Sequence, residues 1–194
     1  MSRHATVHRT TKETEVRVEL ELDGSGSATA ETGLPFFDHM LQQLGTHAGW
    51  DLQVTCTGDL EVDGHHTVED CGLAIGQALV EALDEKAGIR RFASITVPLD
   101  EAAVEVALDL AGRNFVLHEV DVPAETIGSF DTGLVEDFVR AFAQAANLTI
   151  HVRLKSGRSP HHVVEAEFKA IAKALGDACS PSGRGEIPST KGTL

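Results

Sequence analysis

Two short clusters carry the chemistry in this sequence: His65-His66-x-x-Glu69 and His161-His162-x-x-Glu165. Imidazole nitrogens and carboxylate oxygens are ligands for divalent metal ions, and histidine is the commonest protein ligand. Residues three and four apart share one face of a helix, so each glutamate falls beside its histidines. Adjacent histidines diverge by about 100° around a helix, so each pair serves two ions more readily than it chelates one. Two such helices supply four imidazoles and two carboxylates. That set suits manganese or another octahedral divalent ion better than closed tetrahedral zinc. It is not H-E-x-x-H, in which the glutamate is the base. A single doublet is most often a surface or helix-capping pair; two doublets in register within a repeat favour metal.

The register arises because the chain is written twice. A shift of 96 residues lays HHTVEDCGLAIGQALVEA, from His65, on HHVVEAEFKAIAKALGDA, from His161, with nine of eighteen positions identical. The apolar matches recur at helical spacing and predict two amphipathic helices. Upstream, residues 14–22 (TEVRVELEL) and 103–110 (AVEVALDL) alternate polar and apolar and end in turns, which predicts half-buried strands. Short strands over Leu52–Cys56 and Leu148–Leu154 precede the doublet helices. Helices over Phe37–His47 and Leu134–Ala146 precede those strands. Each half therefore reads as two or three strands, a helix, a strand and a helix. Grouped strands favour an α+β fold with helices on one face of a sheet. The halves are residues 1–90 and 91–194, divided near Gly88–Arg91, where the first doublet helix should stop. The tail, Ser180–Leu194, is rich in Gly, Pro and Ser and reads as loop. Its plain reading is a frayed terminus, although Arg184 and Lys191 give it cationic groups.

The net charge of -14 argues against generic nucleic-acid binding. A small anionic substrate remains compatible, because a few placed cations make a local positive pocket. No run of about eighteen apolar residues predicts a membrane span, and the start lacks the apolar core of a secretory signal. Three cysteines without C-x-x-C spacing fit a reducing cytoplasm rather than a disulfide scaffold. Ten histidines accompany no tyrosine and one tryptophan. His39 follows Asp38, which can orient its ring; His47 lies on the same broad face. His151 reads as a partly buried strand residue, and His4, His8 and His118 as surface residues.

The segments RTTKETEV, LPFFDHMLQQLGTHAGWDL, DGHHTVED, GIRRF, PLDEA, GRNF, HHVVEAEFKA and PSTKG occur in this order. Together they resemble the imidazoleglycerol-phosphate dehydratase family of histidine biosynthesis over nearly the whole chain, in its monofunctional form. The resemblance implies two half-domains, each a four-stranded sheet backed by two helices. It also implies an assembly of 24 subunits with sites at subunit contacts and two manganese ions per site. The implied ligands are His39, His65, His66, Glu69, His161, His162 and Glu165, with position 137 as the eighth. There the family commonly has histidine and this chain has Asp137. A carboxylate is an acceptable manganese ligand; binding through water, or a contribution from Glu136, are the alternatives.

The implied reaction removes water from imidazoleglycerol phosphate to give imidazole acetol phosphate. Metal on the ring nitrogens would stabilise an imidazolate, the ring would expel the side-chain hydroxyl, and Glu13 would take the carbon-bound proton. Asp100, Glu101 and His47 would position groups or shuttle protons. Phosphate contacts fall on Arg91, Arg113, Lys169, Ser189 and Lys191, and Gln43 would touch substrate hydroxyls. From the ligand inventory alone, a two-metal phosphate hydrolase and a non-catalytic metal cage are the rivals.

Overall fold

The alternating stretches become sheets. The computed structural model describes residues 3–194. β1 (His4–Thr10) and β2 (Thr14–Glu21) form an antiparallel hairpin. β3 (Ala28–Glu31) passes through α1 (Pro35–Ala48) to β4 (Asp51–Gly58), which pairs antiparallel with β2 and parallel with β3. α2 (His65–Leu83) follows. β5 (Phe92–Leu99) and β6 (Ala102–Asp109) form the next hairpin. β7 (Phe115–Glu119) leads through the small hairpin β8 (Thr126–Ile127) and β9 (Phe130–Asp131) to α3 (Leu134–Ala146). β10 (Thr149–Ser156) pairs antiparallel with β6 and parallel with β7, and α4 (Pro160–Cys179) follows. The sheet orders, β1-β2-β4-β3 and β5-β6-β10-β7, are the same topology twice.

One face of each sheet is buried. On β2, Val16, Val18 and Leu20 are fully covered while Glu15 and Arg17 face outward. On β6, Ala102, Val104, Val106 and Leu108 are buried in the same alternation. Pro35 and Pro160 open their helices, where a missing N–H costs nothing. Gly49 and Asn147 close α1 and α3 in the left-handed conformation. α2 ends at Leu83, before the expected Gly88–Arg91, because Asp84 and Lys86 take positive φ of 49° and 56° and break the right-handed path.

The helix layers face each other across the halves, α1 against α4 and α2 against α3. A Cβ on Gly76 of α2 would lie 2.6 Å from the Phe142 carbonyl oxygen of α3, so only glycine permits that approach. Phe37, Phe138 and Phe168 form an aromatic centre, with centroids 5.6 Å apart for Phe37–Phe138 and 5.2 Å for Phe138–Phe168.

Two further expectations are corrected. His118 is not a surface residue: its side chain is 5% exposed and its Nε2 lies 2.8 Å from Oε1 of fully buried Glu167. β7 is too short for alternation to reveal which residues face inward. The tail is not frayed either. The Ser182 N–H donates to the Gly88 carbonyl at 2.7 Å, and the Gly88 N–H donates to the Glu186 carbonyl at 3.0 Å. No helix among the described residues is long and apolar enough to cross a membrane.

Candidate functional site

Each doublet-bearing helix presents its first histidine to a helix of the other half. On α4, His161 Nε2 stands 2.9 Å from Glu165 Oε2. His39, on α1, brings Nε2 to 3.5 Å from the same oxygen. These three residues offer ligand atoms within 4.8 Å of one another, the only such group of three among the described residues. Phe36 packs edge-on against the His161 ring, and Lys169 Nζ lies 2.6 Å from Glu165 Oε1. Burial pushes the Glu165 carboxyl up, but the bonds from Lys169 and His161 outweigh it and leave the group below its ordinary value. Nearby, His47 Nε2 is 3.0 Å from Gln43 Oε1. Burial, then the charges of Lys169 and Lys173, lower the His47 pKa.

The counterpart on α2 is looser. His65 Nδ1 lies 3.2 Å from Asp137 Oδ2 of α3. Asp137 thus meets the α2 doublet as His39 meets the α4 doublet. Glu69 is exposed and does not close on His65 as Glu165 closes on His161.

The second histidine of each doublet turns away, as the spacing predicts. The ring planes are inclined by 71° for His65/His66 and 87° for His161/His162. His66 Nδ1 lies 3.1 Å from both carboxylate oxygens of Asp59. His162 Nδ1 lies 2.8 Å from Glu101 Oε2. These bonds raise both imidazole pKa values against partial desolvation. With Nδ1 engaged, each Nε2 is left for a ligand or a proton. The nearest acids to those atoms are Glu13, 3.9 Å from His66 Nε2, and Asp100, 3.9 Å from His162 Nε2. The role of Asp59 was missed in the sequence, since nothing in a seven-residue separation marks it.

Glu13 and Glu101 sit where β2 and β6 begin, yet their surroundings differ. Glu101 is bonded to His162 and accepts the N–H groups of Ser159 and Arg158 at 2.7 and 3.1 Å. The His162 bond first, then the backbone donors, hold its carboxyl at about 2. Among the described residues, the Glu13 carboxylate has only the longer approach to His66. Its backbone is fixed instead: its N–H donates to Thr11 Oγ1 at 3.1 Å and its carbonyl accepts from the Asp59 N–H at 3.1 Å.

The cations gather elsewhere. A cavity of about 1110 Å³ is lined by Arg90, Arg91, Arg113, Arg184, Ser189 and Lys191, among others. Arg91 spends its fork on Asp109, at 2.7 and 3.1 Å, and on the Pro188 carbonyl at 2.7 Å, so it straps the tail down. The fold thus unites Arg91, Arg113, Ser189 and Lys191, adds Arg90 and Arg184, and leaves Lys169 and Gln43 with the histidines. The cavity shares no lining residue with either histidine cluster.

Fold and site define a class: a tandem-repeat α+β protein with paired histidine–carboxylate clusters and a separate cationic cavity. Residues 32–175 match the family model for imidazoleglycerol-phosphate dehydratase, and the chain belongs to that family. It is 53% identical to the imidazoleglycerol-phosphate dehydratase of Parafrankia sp. (strain EAN1pec), across the whole of both chains. It is 47% identical to the chloroplastic enzyme of Pisum sativum, covering 100% of this chain and 69% of that protein. The crystal structure of the Pyrococcus furiosus protein in complex with (S)-C348 superposes with TM-score 0.83 at 34% identity, covering 97% of this chain and 100% of that one. The Staphylococcus aureus subsp. aureus N315 enzyme gives TM-score 0.83 at 34% identity, covering 92% of this chain and 99% of that one.

Proposed function

We propose that this chain is a hydro-lyase of histidine biosynthesis that dehydrates D-erythro-imidazoleglycerol phosphate to imidazole acetol phosphate. The observation that carries the reading is the separation of ring-nitrogen and carboxylate donors from the cationic cavity. The substrate has matching ends, an imidazole at one and a phosphate at the other.

The donor set fits a divalent cation of the manganese type: three ligand atoms already lie within 4.8 Å at His39, His161 and Glu165. His65, Asp137 and Glu69 would form the second centre, with the free nitrogens of His66 and His162 as further ligands. Two bound manganese ions per site would supply Lewis-acid withdrawal of electrons from the substrate ring. Glu13, with no hydrogen bond on its oxygens among the described residues, is suited to take the carbon-bound proton. His47, whose lowered pKa favours the neutral ring, is suited to accept a proton rather than to hold one. Glu101, held anionic, orients His162. Lys191, Arg113 and Ser189 would grip phosphate.

The family resemblance implies working sites between copies in an assembly of 24, and the reading adopts that arrangement. Free, buried cysteines accord with a reducing cytoplasm. The test is incubation of the purified, manganese-loaded protein with imidazoleglycerol phosphate. Ketone product is expected; phosphate release without ketone would overturn the reading in favour of a hydrolase.

A further inference from the structure

The turn that carries Glu13 rests on a buried polar network. Asp70, next to Glu69 on α2, is 5% exposed. Its Oδ1 accepts from Arg9 Nε at 2.8 Å and its Oδ2 from the Thr14 hydroxyl. Thr14 follows Glu13 directly and is 4% exposed. Thr11 Oγ1 closes the turn, accepting the N–H groups of Glu13 and Thr14 at 3.1 and 3.0 Å. The tip of the β1–β2 hairpin is thereby bolted to the helix that carries His65, His66 and Glu69.

The repeat supplies an internal control. Arg9 lies opposite Val16 in the first hairpin, and Val97 lies opposite Val104 in the second. Matching Val16 to Val104 sets Thr14 on Ala102 and Arg9 on Val97. The shift that lays His65 on His161 sets Asp70 on Ala166. All three polar positions are apolar in the second half, where Ala102 and Ala166 are 1% and 0% exposed. The fold therefore closes this junction without charge. Asp70 is stripped of water while the Arg9 side chain stays 38% exposed, and the cost of desolvating the carboxylate offsets much of what the pair contributes, so stability alone is a weak reason for it.

The halves differ here in one respect that bears on chemistry. Glu101 is pinned by its own oxygens, which stabilises the anion and makes a poor proton acceptor. Glu13 is pinned from beneath, which orders the residue and leaves its oxygens without a hydrogen bond among the described residues. We propose that Asp70, acting through Thr14 and Arg9, is a positioning residue that fixes the Glu13 carboxylate against His66 without engaging its oxygens. This rests on the reading of Glu13 as the base.

The test uses the manganese-loaded assembly. Thr14→Val removes the hydroxyl at similar volume, and Thr14→Ser keeps it. Thr14→Val is expected to lower kcat about tenfold, as for a slightly misplaced base, with KM, manganese content and assembly mass unchanged. Thr14→Ser is expected to restore kcat. An unchanged kcat in Thr14→Val, a matching rise in KM or loss of manganese, or a Thr14→Ser variant as slow as Thr14→Val, each overturns the proposal. Should Thr14→Val not fold, the combined Arg9→Val, Thr14→Ala and Asp70→Ala variant installs the second half's apolar junction. Retained fold and manganese with reduced kcat then support the proposal, and full kcat overturns it. Glu13→Gln separates the two readings. Wild-type kcat in Glu13→Gln removes the base assignment and the proposal with it. A slow Glu13→Gln beside a normal Thr14→Val removes the positioning role alone.

Discussion

His65 and Asp137, 72 residues apart in sequence, meet across the α2–α3 seam at 3.2 Å between Nδ1 and Oδ2. If this pair holds a metal ion, Asp137→Ala should weaken manganese binding by about tenfold or more, and Asp137→His should retain it. Metal analysis after dialysis against graded chelator checks this. Equal manganese retention in wild type and Asp137→Ala would remove position 137 from the ligand set.

Glu13 and Glu101 should respond oppositely to loss of charge. Glu13→Gln is expected to reduce kcat by about 10²–10⁴ while leaving thermal stability near wild type. Glu101→Gln, which weakens the bonds that hold the His162 ring and the turn before α4, is expected to lower stability. Steady-state kinetics and thermal melts on both variants decide it.

Lys191→Ala is expected to raise KM by about tenfold with a smaller effect on kcat, the signature of a lost binding contact to a phosphate that does not react. A fall in kcat with KM unchanged would place Lys191 nearer the bond-breaking step.

A pH effect follows from Asp51, whose Oδ1 accepts the Ser25 and Ser27 N–H groups at 2.8 and 2.9 Å. Those bonds, led by Ser27, lower its pKa below 3.8. The stabilisation it gives is therefore complete above 3.8 and is lost as pH falls through the lower folded value. Asp51→Asn should be less stable than wild type at neutral pH, and the gap should close in strong acid. Urea unfolding midpoints across pH measure it; a constant gap would contradict it.

Gly76→Ala should cost about 1–3 kcal/mol, because the added Cβ meets backbone rather than a movable side chain. Gly185→Ala has open space around it and should stay within about 0.5 kcal/mol of wild type. Chemical denaturation of the two variants compares them directly.

What could be read from sequence was periodic or repeated. The Leu134–Ala146 helix falls on its expected bounds, and β2, β4, β6 and β10 fall within two residues of theirs, because burial imposes a helical period on the first and alternation on the strands. The doublets declared themselves by recurring in step with apolar neighbours. What could not be read was pairing between distant segments. Asp70 with Arg9 and Thr14, Asp59 with His66, and His118 with Glu167 each join positions whose spacing carries no periodic signal. β8 and β9, two residues each, are too short to alternate. The meeting of both doublets at one centre does not occur within one chain, where each faces a different partner helix.

That crossing of partners, α1 to α4 and α2 to α3, makes the halves mutually dependent. A polypeptide cut in the link between Leu83 and Phe92 would leave two fragments, each with the oily side of its helices bare to water. Mixed in equal amounts they should find each other and refold; alone, each should aggregate. An ancestral single-copy unit with this architecture would have had to pair with itself, and its fusion would have made that pairing permanent while freeing the two copies to diverge.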